Sequence, residues 1–327
     1  MNRTMNRSRR QFLRAAAGVA ALPLAPRASS AKLRYPARPI HVLVGFPAGT
    51  GPDFVARVTA RWLSDHLGQQ FVVEDRPGAG SNIATEAVVR ATADGYTLLH
   101  ITVANAINAR LNNDALFARD ISPVASIARA SFFVVVNASF PAADMPGLIA
   151  YARAHPEKIS IGSSGVGSAP YLAADLFKVM GRIEVLHVPY AGTPQAITEL
   201  LAERVQVVFA DPSAIGPVKS GKLRALAVTA AARQEILPDL PPLGDVLPGY
   251  EASTWHGLGA PRGVPGDIVE SLNREVNAAL ADSDVKSQLA RQGFTAMGGS
   301  ATDFGRLIAD ETAKWAQLTR ATGGKTD

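Results

Sequence analysis

The chain has 327 residues and no cysteine. This absence excludes a disulfide framework, a thiolate metal site and a cysteine nucleophile. It is compatible with an oxidising compartment but does not by itself indicate one. After the N-terminal segment, no apolar run approaches the roughly 20 residues that a helix needs to cross a bilayer.

Signatures of a metal enzyme or a hydrolase are also missing. The six histidines are scattered, without the His-x₃-His or His-Glu-x₂-His spacing of a metal site. The segment Gly162-Ser163-Ser164-Gly165 has the wrong spacing for a Gly-x-Ser-x-Gly nucleophile elbow. We therefore expect no enzymatic activity. An exported α/β hydrolytic enzyme with a Ser-His-Asp triad from distant segments is the less favoured alternative, and His256 is the histidine expected nearest to a cleft.

The glycine-rich turns do not follow a nucleotide-binding order. Gly162, Gly165 and Gly167 depart from Gly-x-Gly-x₂-Gly, and no glycine loop is followed by a Walker lysine. We therefore expect no cofactor.

Residues 1–31 have the composition of an export signal. The stretch Ser8-Arg9-Arg10-Gln11-Phe12-Leu13-Arg14 matches the twin-arginine motif. A short apolar run at 15–25 and the small residues Ser29-Ser30-Ala31 follow, as in a signal peptide with its cleavage site. We expect periplasmic localisation through a twin-arginine-type signal peptide. The alternative is a basic tail on a cytoplasmic protein.

The basic charge of the chain belongs to this N-terminal segment. It holds six of the 33 basic residues and none of the 28 acidic ones, so the formal charge falls from +5 to −1 without it. The remaining chain has no excess of positive charge, and we expect no nucleic acid as a partner.

Beyond residue 31, short apolar runs alternate with amphipathic segments, as in a parallel sheet covered by helices. Strands are predicted at 40–46, 71–74, 97–101, 158–161, 184–188, 205–210 and 223–229. Helices are predicted at 54–67, 82–91, 145–154, 170–180, 194–202, 266–281, 283–292 and 302–319. The long β-prone stretch 124–136 and the run 253–260 are predicted to cross between two lobes, a division usual for about 296 residues. The fold class is therefore α/β.

Three predicted strands are each followed by a glycine-containing turn and the start of a helix. These turns are at residues 46–53, 162–168 and 190–194. Helix N-termini carry unpaired N–H groups and a partial positive charge, so several of them around one cleft would hold a small carboxylate. Each turn on its own is better explained as a tight strand-to-helix connection.

The order of these motifs resembles the periplasmic receptors of tripartite tricarboxylate transporters, the TctC-like or Bug family. Matching stretches extend from about residue 35 to residue 319. They include residues 35–40, Val72-Val73-Glu74-Asp75-Arg76-Pro77-Gly78-Ala79-Gly80, Asp94-Gly95-Tyr96-Thr97-Leu98-Leu99, residues 221–229 and Trp255-His256-Gly257-Leu258.

The resemblance implies a periplasmic-binding-protein fold of type II, with two α/β lobes, a ligand cleft between them and crossing hinge strands. It places residues 32–130 plus 252–327 in domain 1 and residues 131–251 in domain 2. It nominates eleven ligand-binding residues on the loops around the cleft. These are Gly49, Thr50 and Asp53 on one side, Ser163, Ser164, Gly165 and Ser168 on the other, Thr193 and Asp211 completing the cleft, and Thr102 and Asn105 on a further loop.

Two features of these eleven residues affect how a carboxylate could bind. Family members usually carry two adjacent glycines in the first loop, and here Thr50 replaces the second one. Asp53 and Asp211 should not contact a carboxylate directly, because like charges repel. Both are expected to satisfy N–H groups in turns; alternatively, Asp211 binds an ammonium or hydroxyl group of the ligand.

The resemblance therefore implies a solute-binding protein that captures a small organic carboxylate by Venus-flytrap closure. Dicarboxylates, tricarboxylates, acidic amino acids and aromatic acids stay open as ligands. The expected partners are the permease subunits of a tripartite tricarboxylate transporter. The alternative is that the same clamp presents its ligand to a sensor protein.

Overall fold

The computed structural model describes residues 35–111 and 116–321. The predicted export signal at residues 1–31 lies outside the described residues. Pro36–Asp327 forms one compact unit, which contains both lobes. No helix of the described residues is long and apolar enough to span a membrane.

The first lobe is built on a six-stranded sheet with the order β11-β4-β10-β3-β1-β2. Strands β1, β2 and β3 run parallel to one another, whereas β10 is antiparallel to both β3 and β4. The strands are β1 (Ile40–Val44), β2 (Phe71–Asp75), β3 (Thr97–Thr102), β4 (Ile121–Ser131), β10 (Ser253–Pro261) and β11 (Thr295–Ala296).

The second lobe is built on a five-stranded sheet with the order β7-β6-β8-β5-β9. Strands β6, β7 and β8 are parallel, and β5 is antiparallel to β8 and β9. The strands are β5 (Phe133–Asn137), β6 (Ser160–Ser163), β7 (Leu186–Pro189), β8 (Val207–Ala210) and β9 (Leu223–Val228).

Helices cover both sheets. They are α1 (Gly51–Leu67), α2 (Asn82–Val89), α3 (Val103–Leu111), α4 (Leu116–Asp120), α5 (Met145–Ala154), α6 (Ala169–Gly181), α7 (Thr193–Leu201), α8 (Ile215–Lys219), α9 (Gly266–Ala281), α10 (Ser283–Arg291) and α11 (Ala301–Ala321).

Helix α1 shows how the sequence sets these elements. Pro52 stands in the first turn, where its missing N–H has no partner to lose. Val55 and Leu63 lie on the buried side. Gly68 ends the helix in the left-handed conformation, with φ of 68°, and its N–H donates to the carbonyl oxygen of Ser64. This fixed helix directs its N-terminus toward the second lobe.

The two lobes are joined where Phe132 separates β4 from β5 and where the chain returns into β10. Thr229, at the end of β9, is fully buried and ties these connections together. Its hydroxyl oxygen accepts from the N–H of Phe132 at 2.8 Å and donates to the carbonyl oxygen of Ala252 at 2.7 Å. The hinge is therefore a hydrogen-bonded set of extended segments.

The structure confirms the α/β fold of two lobes and corrects three details. The sheets are mixed rather than purely parallel. The long β-prone stretch divides into β4 and β5 at Phe132. The predicted loop at Thr102 and Asn105 is the end of β3 followed by α3, so Asn105 is helical. The exact domain boundaries stay a prediction.

Candidate ligand-binding cleft

A cleft lies between the lobes, at the carboxyl ends of the parallel strands of both sheets. This is where open α/β sheets bind ligands. The cleft includes about 420 Å³ of empty space, counted with its solvent-open mouth. Its lining residues are Phe46, Thr50, Gly51, Pro52, Thr102, Ala104, Phe132, Ser164, Ser168, Ala169, Pro170, Thr193, Asp211, Thr254, His256 and Phe294.

The first lobe contributes the N-terminus of α1. Thr50 precedes this helix in extended conformation, and its hydroxyl donates to the carbonyl oxygen of Pro47 at 2.7 Å. The N–H of Gly51 points across the cleft and donates to Oδ2 of Asp211 at 3.3 Å. A carboxylate oxygen therefore already sits at the start of this helix, where the partial positive charge favours an anion.

Asp211 also organises its own turn in the second lobe. Its Oδ1 atom accepts from the N–H of Ser213 at 3.0 Å and from the Ser213 hydroxyl at 2.5 Å. These contacts cap the short 3₁₀ helix Pro212–Ala214. Both carboxylate oxygens thus have protein donors.

The N-terminus of α6 carries two serine hydroxyls. Ser168 precedes the helix, and its side-chain oxygen accepts from the N–H of Tyr171 at 3.2 Å. The hydroxyl of Ser164 donates to the oxygen of Ser168 at 3.0 Å. Gly165, with φ of +100°, turns the chain between them. The pair places polar atoms on the wall of the cleft.

The N-terminus of α7 has a polar atom without a protein partner. Thr193 is 1% exposed and lines the cleft, and its Oγ1 atom has no hydrogen-bond partner. A buried hydroxyl without a partner costs free energy unless a ligand or water satisfies it. Among the nominated residues that line the cleft, Thr193 therefore has the side chain that most clearly requires a hydrogen bond from a ligand or water.

Five nominated residues do not line the cleft: Gly49, Asp53, Asn105, Ser163 and Gly165. Gly49 is exposed, and its N–H donates to Oδ2 of Asp53 at 2.8 Å. Oδ1 of Asp53 faces the guanidinium of Arg57 at 2.5 Å. Asn105 is buried behind Thr102 and accepts from its N–H at 2.8 Å, while its amide donates to Ser81 and Thr85. These contacts hold the cleft loops in place, as expected for Asp53.

Ser163 is fully buried and forms a Ser-His-Asp chain. His187 bonds the Ser163 hydroxyl through Nε2 at 2.8 Å and the carboxylate of Asp175 through Nδ1 at 3.0 Å. The His187 ring also stacks on Tyr171, with centroids 4.2 Å apart. Ser163 is 0% exposed and does not line the cleft. The chain fixes the end of β6 just before the Ser164 loop.

Two glycines of the second lobe approach the first lobe closely. A Cβ atom on Gly192 would lie 3.1 Å from the Thr50 methyl carbon. A Cβ atom on Gly167 would lie 2.3 Å from Oδ1 of Asn108, and φ of Gly167 is +76°. Thr50, the departure from the family pattern, is thus accommodated by a glycine on the facing loop.

The cleft contains features that sequence reasoning did not identify as a site. Phe46, Phe132 and Phe294 form apolar walls. His256 borders the cleft, as expected from the sequence, and contacts His100 within the first lobe, a contact that the sequence did not indicate. Single phenylalanines carry no sequence signal of a site, and the two histidines are 156 residues apart.

The charge of the cleft follows from its lining. Among the described residues that line it, none is lysine or arginine, and Asp211 is acidic. Groups of three or more metal-ligating side chains do not occur in residues 35–111 and 116–321. Helix N-termini and hydroxyl groups are therefore the features of this cleft that attract an anion.

Comparisons with known proteins agree with this architecture. The model of the tripartite tricarboxylate transporter family receptor matches residues 55–323. Protein BugT of Bordetella pertussis is 34% identical over 300 residues, covering 89% of this chain and 91% of BugT. The structure titled "R. palustris Rpa4515 with adipate" is 36% identical with a TM-score of 0.84, covering 88% of this chain and 98% of that one. MatC from Rhodopseudomonas palustris with bound malate is 28% identical with a TM-score of 0.81, covering 87% and 99%.

Proposed function

Because this chain belongs to the tripartite tricarboxylate transporter receptor family, we propose that it captures a small organic carboxylate in the cleft between its lobes. The family consists of solute-binding receptors, and the fold is that of a periplasmic binding protein. The proposed role is to bind the solute and present the closed form to a membrane partner.

The buried hydroxyl of Thr193 carries the proposal. It has no protein partner, lies at the start of α7 and faces the same cleft as the starts of α1 and α6. Three helix N-termini around one space favour an anion without requiring a basic side chain. Adipate and malate are the ligands named for two similar structures, and both are carboxylates.

The residues proposed to contact the ligand are those of the nominated set that line the cleft: Thr50, Thr102, Ser164, Ser168, Thr193 and Asp211. Gly49, Asp53, Asn105, Ser163 and Gly165 are proposed to shape the loops that carry them. Ligand contacts by these five stay a prediction.

Closure of the lobes is the proposed signal. In the closed form, Gly192 packs on Thr50 and Asp211 bonds Gly51. A ligand that binds both lobes shifts the population toward this form. The proposed partners are the permease subunits of a tripartite tricarboxylate transporter, and the proposed route of export is the twin-arginine signal at residues 1–31.

A thermal-shift screen of residues 32–327 against small carboxylates and their amides tests this function. A ligand that binds only the folded state raises the melting temperature by mass action. We expect at least one acid to stabilise the protein while its amide does not, and Thr193→Val to reduce that shift. A response to cations or nucleotides and to no acid would overturn the proposal.

A further inference from the structure

One side-chain contact between the lobes lies outside the carboxylate site. Asn108, on α3 of the first lobe, is 3% exposed and does not line the cleft. A Cβ atom on Gly167, in the turn before α6 of the second lobe, would lie 2.3 Å from Oδ1 of Asn108. The amide of Asn108 therefore occupies the space that any side chain at residue 167 would need. We call this approach of Asn108 and Gly167 the closure contact.

The hydrogen bonds of Asn108 fix which end of its amide faces the second lobe. Nδ2 donates to the carbonyl oxygen of Gly80 at 2.7 Å. With the amide reversed, two oxygen atoms would face each other at this distance and repel. Oδ1 is therefore turned to Gly167, where a Cα–H group meets it in a weak hydrogen bond of the kind found where backbones approach closely.

The segment that holds Asn108 has a strained backbone. Residues 78–81 all have positive φ, and two of them are not glycine: Ala79 at 46° and Ser81 at 81°. Ser81 is fully buried, and its hydroxyl oxygen accepts from Nδ2 of Asn105 at 3.1 Å. Residues in such conformations persist only where their surroundings fix them, and they are frequent at ligand clamps and switch regions.

Both sides of the closure contact connect to the wall of the cleft. In the first lobe, Asn105 lies on the same helix as Asn108 and accepts from the N–H of Thr102, which lines the cleft. In the second lobe, Gly167 precedes Ser168, which lines the cleft and caps α6. The closure contact thus joins two parts of the wall that belong to different lobes.

We propose that Asn108 is a positioning residue for lobe closure: held by residues 78–81, it receives Gly167 as the lobes close and fixes the Ser164–Ser168 turn against the first lobe. Asn108 does not touch the ligand, so it acts on the balance between open and closed forms. Altering the closure contact should therefore change the affinity for different ligands by the same factor. This inference rests on the proposed function, because it concerns how the same cleft closes.

A disulfide trap tests the closure contact without any ligand. Cβ atoms at residues 108 and 167 would lie within about 5 Å of each other, close to the span of a disulfide. The chain has no cysteine, so Asn108→Cys/Gly167→Cys would have only the two introduced thiols. With a dipyridyl disulfide as oxidant, we expect this pair to form an intramolecular crosslink, seen as a mobility shift on non-reducing gels.

Asn108→Cys/Gly221→Cys is the matched control pair. Gly221 has φ of +73°, close to the +76° of Gly167, and a Cβ added there meets no described atom within 4 Å. It precedes the start of β9, the end of the second sheet that lies away from the cleft. We expect its crosslink to form about tenfold more slowly or not at all, since the two thiols are not brought together by closure.

Gly167→Ala tests what the closure contact does for binding. The added methyl group would press on Asn108 in the closed form, so we expect the dissociation constants of adipate and malate to rise by the same factor, about fivefold or more. Gly221→Ala adds a methyl at a similar φ away from the lobe boundary and should leave both within about twofold. In the Asn108→Ala background, Gly167→Ala should cause little further loss. Titration calorimetry measures all four proteins.

The outcomes separate this inference from the proposed function. Equal crosslinking rates in the two cysteine pairs would overturn the closure contact. A loss of affinity in Gly167→Ala that is just as large in the Asn108→Ala background would overturn the role of Asn108. The crosslink does not depend on which acid binds. If it forms while adipate, malate and the broader acid screen are all negative, the proposed function fails and the closure contact stands.

Discussion

The N–H of Gly51 donates to Oδ2 of Asp211 at 3.3 Å, and this hydrogen bond joins the first lobe to the second across the cleft. The acceptor occupies the start of α1, where a ligand carboxylate would gain most from the helix dipole. Asp211 therefore closes the two lobes on each other and at the same time places a negative charge where an anion is to bind. A substitution of Asp211 therefore distinguishes two roles by its effect on ligand affinity. In one, Asp211 only satisfies N–H groups in turns; in the other, it binds an ammonium or hydroxyl group of the ligand.

Asp211→Asn tests the charge of this residue. The amide oxygen keeps an acceptor for Ser213, but the negative charge and the acceptor for the Gly51 N–H are lost. Because two like charges about 4 Å apart repel by about 1 to 4 kcal/mol near a protein surface, we expect a carboxylate ligand to bind at least fivefold more tightly. Calorimetric titration of the wild type and the variant measures the change.

Ser213→Ala is the control for the turn, since it removes a donor to Asp211 without changing the charge. It should leave the affinity within about twofold. If Asp211 instead binds a ligand ammonium group, an amino acid will bind more tightly than its deaminated analogue, and Asp211→Asn will abolish that difference. Weaker binding of every acid in Asp211→Asn would contradict the repulsion argument.

Gly192→Ala tests the contact between the loops of the two lobes. The new methyl group would press on the Thr50 methyl, and overpacking of this kind costs about 1 to 3 kcal/mol. Since the contact exists in the closed form, we expect ligand affinity to fall about fivefold or more. The melting temperature of the ligand-free protein should change little.

A double-mutant cycle shows whether the effect arises at Thr50. In the Thr50→Gly background, Gly192→Ala should cause little further loss of affinity. Gly216→Ala, in the second lobe, is the matched control, because its added Cβ meets no atom within 4 Å. Equal losses in Gly192→Ala with and without Thr50 would show that the loops do not press together on closure.

Local patterns allowed much of the fold to be predicted. The helix at Met145–Ala154 and the helix at Gly266–Ala281 have the bounds predicted from sequence, and the other predicted strands and helices differ at their ends by a few residues. Periodicity reports which face of an element is buried, and it is strong in these segments. Helix α3 was missed because residues 102–105 were interpreted as a loop.

The direction of each strand could not be derived from such patterns. Strands β5 and β10 are buried along nearly their whole length, as parallel strands are, yet they pair antiparallel with their neighbours. The site shows the same limit. Glycines and hydroxyl residues at helix starts are visible in the sequence, whereas the contact of His100 with His256 depends on the pairing of two strands that are distant in the chain.

The export route gives a prediction for the part of the chain outside the described residues. Twin-arginine transport depends on the arginine pair, so Arg9→Lys combined with Arg10→Lys should retain the precursor in the cytoplasm. Cell fractionation with immunoblotting measures the distribution. Arg3→Lys combined with Arg7→Lys makes the same two substitutions outside the motif and should be exported normally. Normal export of the Arg9/Arg10 variant would argue for another route.

His187→Ala tests the hydrogen-bonded chain of Ser163, His187 and Asp175 within the second lobe. The change removes two hydrogen bonds and a ring stack in a buried position, so we expect the free energy of unfolding to fall by about 2 to 4 kcal/mol. Urea denaturation measures it. Asp175→Ala removes the outer hydrogen bond and a 3.7 Å ion pair with Lys178, and it should cost about 1 kcal/mol. A loss in Asp175→Ala as large as in His187→Ala would contradict this division.

The pair His100 and His256 should make folding stability depend on pH. Burial lowers the pKa of both rings, so the unfolded chain binds more protons than the folded one once the pH falls below about 6.5. The stabilising contribution is complete above that pH and is lost progressively as the pH falls toward about 3. Each histidine should approach a slope of about 1.4 kcal/mol per pH unit.

Urea denaturation of the wild type and of the variant His100→Leu/His256→Leu at pH 7.5, 6.5 and 5.5 measures this dependence. The pH range from 7.5 to 5.5 is chosen because carboxylates with a lowered pKa also change the free energy of unfolding at lower pH. The pKa of Glu74 is lowered by its hydrogen bonds from Arg76 and His41, and that of Asp303 by hydrogen bonds from Ser300. Their stabilising effect is present above their unfolded pKa near 4 and is lost below it. Between pH 6.5 and 5.5 the loss should therefore be smaller in the double variant than in the wild type. An equal loss in both proteins would show that the two rings already take up protons in the folded state.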